Sequence, residues 1–204
     1  MIGVLCYKGG GNLGSVFKAI KYLGYDFKEV WSPEELKKVD AIIFPGQGSF
    51  AQAYRSLKEV NLWDSLKEFI SENKPFFGIC LGLQLLFDYS DEYGFTEGLK
   101  IISGKVVEFG PEFIKPHLGW NQVFNTAEFR FFEDIPDASS FYFVHSYYPE
   151  VLDLSCKKAF SEYDDKKFAC VIEKDNVFAC QFHPEKSGRW GLKLLDNFLR
   201  STKF

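Results

Sequence analysis

Apolar residues in the first half of the chain follow two alternating rhythms. Ile2–Leu5, Ala41–Phe44 and the run from Phe76 that stops at Gly78 are short and continuous, as buried strands are, and Phe27–Val30, with Lys28 and Glu29 between its apolar ends, reads as the strand between the first two. Between them the apolar positions recur at helical spacing. Val16, Ala19, Ile20 and Leu23 make one stripe over about Leu13–Leu23, closed by Gly24, and Leu62, Leu66, Phe69 and Ile70 make another. A further apolar helical pattern begins just after Cys80. Strand and helix alternating in this way predict a parallel sheet with right-handed crossovers and helices on both faces.

After the Cys80 segment the rhythm changes. Lys105–Phe109, Gly119–Phe124, Phe141–Val144, Lys157–Phe160, Phe168–Glu173 and Val177–Cys180 read as strands separated by short turns. Asp164-Asp165-Lys166-Lys167 and Lys174-Asp175-Asn176 carry hairpin chemistry, and their charges read as solvated loop tips. Trp190, Leu194, Leu195, Phe198 and Leu199 share one face of a closing helix. With no repeat, low-complexity tract or linker, residues 1–204 are expected to form a single α/β domain. Its mostly parallel sheet is flanked by helices, with an antiparallel or mixed extension in the second half.

Composition narrows the function. A formal charge of -4 without a basic cluster argues against nucleic acid. No apolar run approaches the roughly 20 residues of a membrane helix, and the N-terminus runs directly into a strand rather than a targeting segment. Five cysteines without CxxC pairing predict a reduced, cytoplasmic protein. Cys6, Cys156, Cys170 and Cys180 sit among apolar strand neighbours and read as core; Cys80 differs by position.

In an open parallel sheet, sites form beyond the carboxyl ends of the strands, and three turns fall there: Gly9–Asn12, Pro45–Gly48 and Gly78–Gly82. The first lacks the lysine and hydroxyl of a phosphate loop and reads as a tight turn. In Gly78-Ile79-Cys80-Leu81-Gly82, glycines two before and two after the cysteine permit a sharp strand–nucleophile–helix elbow. The helix N-terminus favours a thiolate there, and its free N–H groups, Leu81 nearest, could hold an oxyanion. Taken alone, the pattern fits a buried core cysteine equally well. Pro45-Gly46-Gln47-Gly48 is similarly open: its backbone could rotate a peptide N–H towards an oxyanion, or simply turn into the next helix.

A nucleophile needs a base, and the chain has three histidines. His183 follows the last strand, and Glu185 lies two residues on, placed to orient the imidazole with Pro184 restricting the backbone between them. Together with the cysteine elbow this tips the reading from structural to catalytic. A Cys180–His183 metal site lacks further ligands at zinc spacing, so no metal or cofactor is expected.

Gly78-Ile79-Cys80-Leu81-Gly82-Leu83-Gln84 with Phe182-His183-Pro184-Glu185 resembles the class I (triad) glutamine amidotransferases. Gly11-Asn12-Leu13, Pro45-Gly46-x-Gly48-x-Phe50, Lys115-Pro116-His117-Leu118-Gly119-Trp120-Asn121 and Tyr142-Phe143-Val144-His145-Ser146-Tyr147 are similar, more narrowly, to the glutaminase subunits of imidazole glycerol phosphate synthases. These matches run in order over nearly the whole chain. The resemblance implies a Cys80–His183–Glu185 triad hydrolysing glutamine, with an oxyanion hole from Leu81 and the Gln47-Gly48 peptide. It implies that Gln84, Glu92, Ser146 and Tyr147 hold the amino-acid end of glutamine. It further implies a (βα)8-barrel cyclase partner that receives the ammonia across a face containing Asn12, Trp120, Asn121, Tyr142 and Lys186. Ordinary core packing is the competing reading for Trp120 and Tyr142.

Two positions depart from the family pattern: Gln47 stands where valine is usual, and Tyr7-Lys8, near the expected partner face, where Asp-Tyr is frequent. Paralogous subunits serving barrel partners in surface-sugar synthesis, a free-standing γ-glutamyl hydrolase and a catalytically silent binding subunit are the alternatives. The intact triad argues against the last.

Overall fold

Short apolar runs bounded by glycine, and apolar stripes opened by serine caps, produce the alternation seen in the computed structural model, which describes residues 1–11 and 13–202. The first half runs β1 (Ile2–Leu5), α1 (Leu13–Tyr22), β2 (Phe27–Val30), α2 (Pro33–Leu36), β3 (Ala41–Gly46), α3 (Phe50–Glu59), α4 (Leu62–Ser71), β4 (Phe76–Cys80) and α5 (Leu81–Gln84). The second half adds β5 (Tyr89–Ser90), β6 (Thr96–Glu97), β7 (Gly104–Glu108), β8 (His117–Val123), β9 (Ser139–His145), β10 (Tyr147–Val151), β11 (Lys157–Tyr163), β12 (Lys166–Lys174), β13 (Val177–Cys180) and α6 (Gly188–Ser201).

The main sheet has seven strands in the order β11-β12-β13-β4-β3-β1-β2. The five from β13 to β2 are parallel, and β12 and β11 continue the sheet antiparallel at one edge. The expected mostly parallel sheet with an antiparallel extension is the fold observed. Side-chain alternation divides the core between the two faces. Val4, Ile43, Phe77, Ile79 and Phe178 pack under α1 and α6, whereas Leu5, Ile42, Phe44 and Phe76 pack under α2 to α5. A four-stranded sheet, β10-β7-β5-β6, and the β8–β9 pair stand beyond the main sheet.

Three local differences from the sequence reading have physical causes. The helix after Cys80 spans Leu81–Gln84 rather than continuing, because the carbonyls of Leu85, Leu86 and Phe87 accept from the N–H groups of Leu99, Ile101 and Lys100 instead of from a next helical turn. Pro45 and Gly46 belong to β3, in register with Ile79 and Cys80, so only Gln47-Gly48 forms the turn. Of the Tyr7-Lys8 pair, read as near the partner face, Tyr7 turns inward, 4% exposed and packed edge-on against Phe44, while Lys8 is exposed.

Candidate active site

The elbow begins with a close approach that only glycine allows. A Cβ on Gly82 would lie 2.0 Å from the Phe44 carbonyl oxygen, and one on Gly78 would lie 2.6 Å from the Gly82 carbonyl oxygen. β3, β4 and the start of α5 can therefore touch backbone to backbone. Between those glycines Cys80 adopts φ 54° and ψ −101°, a conformation rarely tolerated outside glycine and typical of strain held at a functional point. The turn lifts the sulfur out of the strand while the residue remains 6% exposed.

β13 pairs with β4, so the residues that follow β13 reach the same edge as Cys80. His183 is 2% exposed, and its Nδ1 donates to Glu185 Oε1 at 2.8 Å across the Pro184 turn. The buried Nε2 completes no hydrogen bond of full geometry, as is common before substrate arrives. The Cys80 sulfur nevertheless acts on it. Burial alone would push the imidazole down, but a negative sulfur beside it, together with Glu185, raises it above the usual histidine range. The predicted nucleophile, base and orienter are thus one constellation, suited to thiolate attack with proton return by an imidazolium.

The other cysteines lack this setting. Burial pushes Cys6 up to about 12 and Cys156 up to about 11, and raises Cys170 and Cys180 as well. Among the described residues, no group of three or more His, Cys, Asp or Glu side chains is arranged to hold a metal ion.

Cys80 opens into a cavity of about 540 Å³ lined also by Gln47, Gly48, Leu81, Gln84, Glu92, Ser146 and Tyr147. The β3–β4 register brings the Gln47-Gly48 turn beside Cys80 and Leu81, where peptide N–H groups could meet a developing oxyanion. Gly48 has φ +99° there, and the Gly11 backbone packs so closely on Gln47 that a Cβ would stand 2.5 Å from Gln47 Cβ. Glu92 Oε2 accepts from the Phe50 N–H at 2.6 Å, tying this carboxylate to the start of α3 directly after the turn. Burial raises the Glu92 carboxyl; the Phe50 N–H opposes the shift and Glu108 adds to it, an environment that a ligand ammonium would relieve. Gln84 donates through Nε2 to the Tyr147 carbonyl at 2.9 Å and to Gln181 Oε1 at 3.2 Å, leaving its own Oε1 for a ligand.

Residues expected on a partner face divide between the cavity and its surroundings. Tyr142 and Lys186 line the cavity itself. Trp120, register partner of Tyr142, is 59% exposed with its ring 6.2 Å from the tyrosine ring, and Leu118 two residues before it is 61% exposed. Core packing is therefore not the role of Trp120. Asn121 is half-buried and hydrogen-bonded to the Glu162 carbonyl. Asn12 lies outside the described residues. Sequence reasoning missed Gln181, whose Nε2 donates to Cys80 Sγ at 3.4 Å, and Ser187, whose Oγ donates to the His183 carbonyl at 2.6 Å. Both flank the His183 segment; for Gln181, a polar residue directly after a buried strand was the available signal, and for Ser187 there was none.

The sequence profile of the family Glutamine amidotransferase class-I matches residues 6–202. Imidazole glycerol phosphate synthase subunit HisH of Caldanaerobacter subterraneus is 48% identical over 198 residues, covering 97% of each chain. The subunit of the same name from Chromobacterium violaceum is 42% identical, covering 97% of this chain and 96% of that one. Among solved structures, a glutamine amidotransferase superposes with a TM-score of 0.76 at 21% identity, covering 98% of this chain and 97% of that chain. A glutamine amidotransferase from Thermotoga maritima superposes with a TM-score of 0.71 at 16% identity, covering 98% and 96%. The last two establish likeness of fold.

Proposed function

Since the chain belongs to the class-I glutamine amidotransferase family, we propose that it is the glutaminase subunit of an imidazole glycerol phosphate synthase, supplying ammonia for histidine biosynthesis. One observation carries the reading: the strained Cys80 elbow opens into a cavity whose rim continues into the exposed Trp120 hairpin. A nucleophile for glutamine and an apolar surface for a second subunit meet in one place.

Glutamine enters with its side-chain amide towards Cys80. Glu92 receives the ammonium, and Ser146, Tyr147 and the Gln84 oxygen hold the rest of the amino-acid end. The Cys80 thiolate attacks the amide carbon, and the carbonyl electrons move to oxygen. Leu81 N–H and a peptide N–H of the Gln47-Gly48 turn receive that oxyanion, each such donor contributing about 3–4 kcal/mol to the transition state. As the intermediate collapses, the His183 imidazolium protonates the departing nitrogen, and a γ-glutamyl thioester remains. Water, deprotonated by the same imidazole, then releases glutamate and restores the thiolate. Glu185 holds the His183 ring throughout. No cofactor takes part.

The ammonia passes, sheltered from bulk water, to a (βα)8-barrel cyclase seated on Trp120, Asn121, Tyr142 and Lys186, in a cytoplasmic heterodimer. There it serves the conversion of a phosphoribulosyl-formimino ribotide to imidazole glycerol phosphate and the aminoimidazole carboxamide ribotide. Glutamate release by the purified chain is the test, first alone and then with the cyclase and its acceptor. The expected rise is roughly a hundred- to a thousandfold, the effect of completing one oxyanion donor. Full activity alone, unchanged by any barrel subunit, would instead identify a free-standing γ-glutamyl hydrolase.

A further inference from the structure

Glutamine hydrolysis as described engages His183 and leaves the chain's other two histidines, His117 and His145, without a role. Both are buried, at 4% and 6% exposure, and they are register partners in the β8–β9 pair. His117 Nδ1 lies 3.1 Å from His145 Nε2. The pair is the middle of a longer run. On the outer side, Asn121 Nδ2 is 3.2 Å from His117 Nε2. On the inner side, His145 Nδ1 is 2.8 Å from the Tyr147 carbonyl oxygen, the same oxygen that accepts from Gln84 Nε2. Gln84 Nε2 also donates to Gln181 Oε1, and Gln181 Nε2 donates to Cys80 Sγ.

Elementary hydrogen-bond chemistry fixes every hydrogen along the run, whose two arms meet at the Tyr147 carbonyl as common acceptor. A carbonyl only accepts, so His145 carries its hydrogen on Nδ1. A neutral imidazole has a single N–H, so His145 Nε2 accepts, and His117 must donate to it from Nδ1. His117 Nε2 then accepts from Asn121. The orientation of the Asn121 amide is fixed independently, because the Glu162 carbonyl accepts from Nδ2 at 2.7 Å and the Gln122 N–H donates to Oδ1 at 2.8 Å. At the inner end the Tyr147 carbonyl fixes the Gln84 amide, which fixes Gln181, which leaves an N–H for the sulfur. Burial holds both histidines in the neutral form this requires, His117 down to about 4 and His145 down to about 3. The His117 ring is also fixed in plane, stacked on Tyr163 at 4.2 Å and on Phe143 at 5.0 Å.

We infer that His117 and His145 are positioning residues: by holding the Tyr147 carbonyl, they place the acceptor that orients the Gln84 and Gln181 amides, so that Cys80 receives an N–H donor, and they tie this arrangement to the strand bearing Trp120. The inference rests on Cys80 as nucleophile and adds a route of regulation. A partner pressing on β8 at Trp120 moves Asn121, the neighbouring residue, and so acts on the outermost link of a run that ends at the sulfur. A donor to sulfur stabilises the thiolate over the thiol and so sets how readily Cys80 reacts.

Two measurements on the full chain test this without substrate or partner. In ¹⁵N-histidine NMR between pH 6 and 8, His117 and His145 are expected to be neutral with the hydrogen on Nδ1. Either ring carrying it on Nε2 breaks the link to the Tyr147 carbonyl and overturns the inference. The second measurement is the pH dependence of Cys80 alkylation by iodoacetamide, with peptide mapping of the label and circular dichroism to verify folding. His117→Leu and His145→Leu are expected to move the alkylation midpoint up by about one pH unit, roughly the effect of one hydrogen bond to the charged form. His117→Asn, which restores a donor near Nδ1, is expected to recover at least half of that shift. Folded leucine variants that alkylate as the parent chain does would overturn the inference, and should they not fold, the NMR arm decides alone. Failure of the glutaminase reading looks different: the unaltered chain, with cyclase and acceptor, releases no glutamate from glutamine.

Discussion

Tyr142 and His183 are joined through their backbones: the His183 N–H donates to the Tyr142 carbonyl at 2.9 Å. Ser187 closes the ring from the other side, its Oγ accepting from the Tyr142 N–H at 2.9 Å and donating to the His183 carbonyl at 2.6 Å. The base is therefore held to β9, the strand that also supplies the cavity rim. Ser187→Ala leaves the Tyr142 N–H without its acceptor, a cost of about 1–3 kcal/mol in stability. The expected result is a lower kcat with KM nearly unchanged, checked by steady-state glutaminase kinetics in the complex. An unchanged kcat would mean that this ring does not position His183.

Glu185 and His183 should differ in their mutational cost. Glu185→Gln removes the negative charge facing Nδ1 but leaves the imidazole in place, whereas His183→Ala removes the proton carrier. Glutamine turnover is expected to fall further in His183→Ala, by at least tenfold relative to Glu185→Gln. Equal losses would make the carboxylate more than an orienter.

Reactivity should separate the five cysteines. Burial holds Cys6, Cys156, Cys170 and Cys180 as thiols, while Cys80 alone stands at a strained elbow beside an imidazolium. A chloroketone analogue of glutamine is expected to label Cys80 and spare the rest, as peptide mapping can establish. Label on Cys156 with Cys80 unmodified would remove the nucleophile assignment. Cys80→Ser should abolish glutamine-dependent synthesis by the complex and leave ammonia-dependent synthesis intact.

The buried histidine pair predicts the acid limb of stability. His117 and His145 have folded values depressed by burial to about 4 and about 3, so the unfolded chain binds their protons first as pH falls. Their contribution is fully present above the unfolded value of about 6.5 and is lost progressively towards pH 4. His183 is raised instead: near pH 6.5 only its unfolded form still takes up a proton, so it opposes the pair's slope between pH 7 and about 5.5 and adds none below that. Thermal melting from pH 7 to 5 should show falling stability, with proton uptake on unfolding approaching about two per chain. A flat profile would refute the neutral, buried assignment of the pair.

The parallel half of the sheet was legible because β1, β3 and the start of β4 are unbroken apolar runs, from which period and length leave one reading; β2, with Lys28 and Glu29, was read from its place in the alternation. α3 was less so: its buried positions, Phe50, Ala53 and Leu57, are interleaved with polar residues, and Ser49 as N-cap was the clearer signal. β10 escaped because it is five residues long and contains Pro149, which pairs with Val106 at the strand's middle. Cys80, His183 and Glu185 could be recognised because the chemistry demands those types at those turns. Gln181, Ser187 and the His117–His145 pair could not, since their function lies in which group each amide, hydroxyl or ring faces across the fold. For Tyr7 the direction of the ring was equally illegible: it turns inward, its hydroxyl beneath Gly46.

The hairpin that lifts Trp120 into solvent also gives the chain an optical reporter. Of its four tryptophans, Trp63 is wholly enclosed and should emit to the blue, while Trp120 at 59% exposure and Trp31 at 46% should dominate the red side of the spectrum. Covering the β8–β9 face transfers one of these two indoles from water to a protein environment. Complex formation should therefore blue-shift the emission, by an amount that Trp120→Phe abolishes and Trp31→Phe preserves. A titration followed at that wavelength would read docking directly, with no turnover required, and an unshifted spectrum on saturation would put the second subunit on another face.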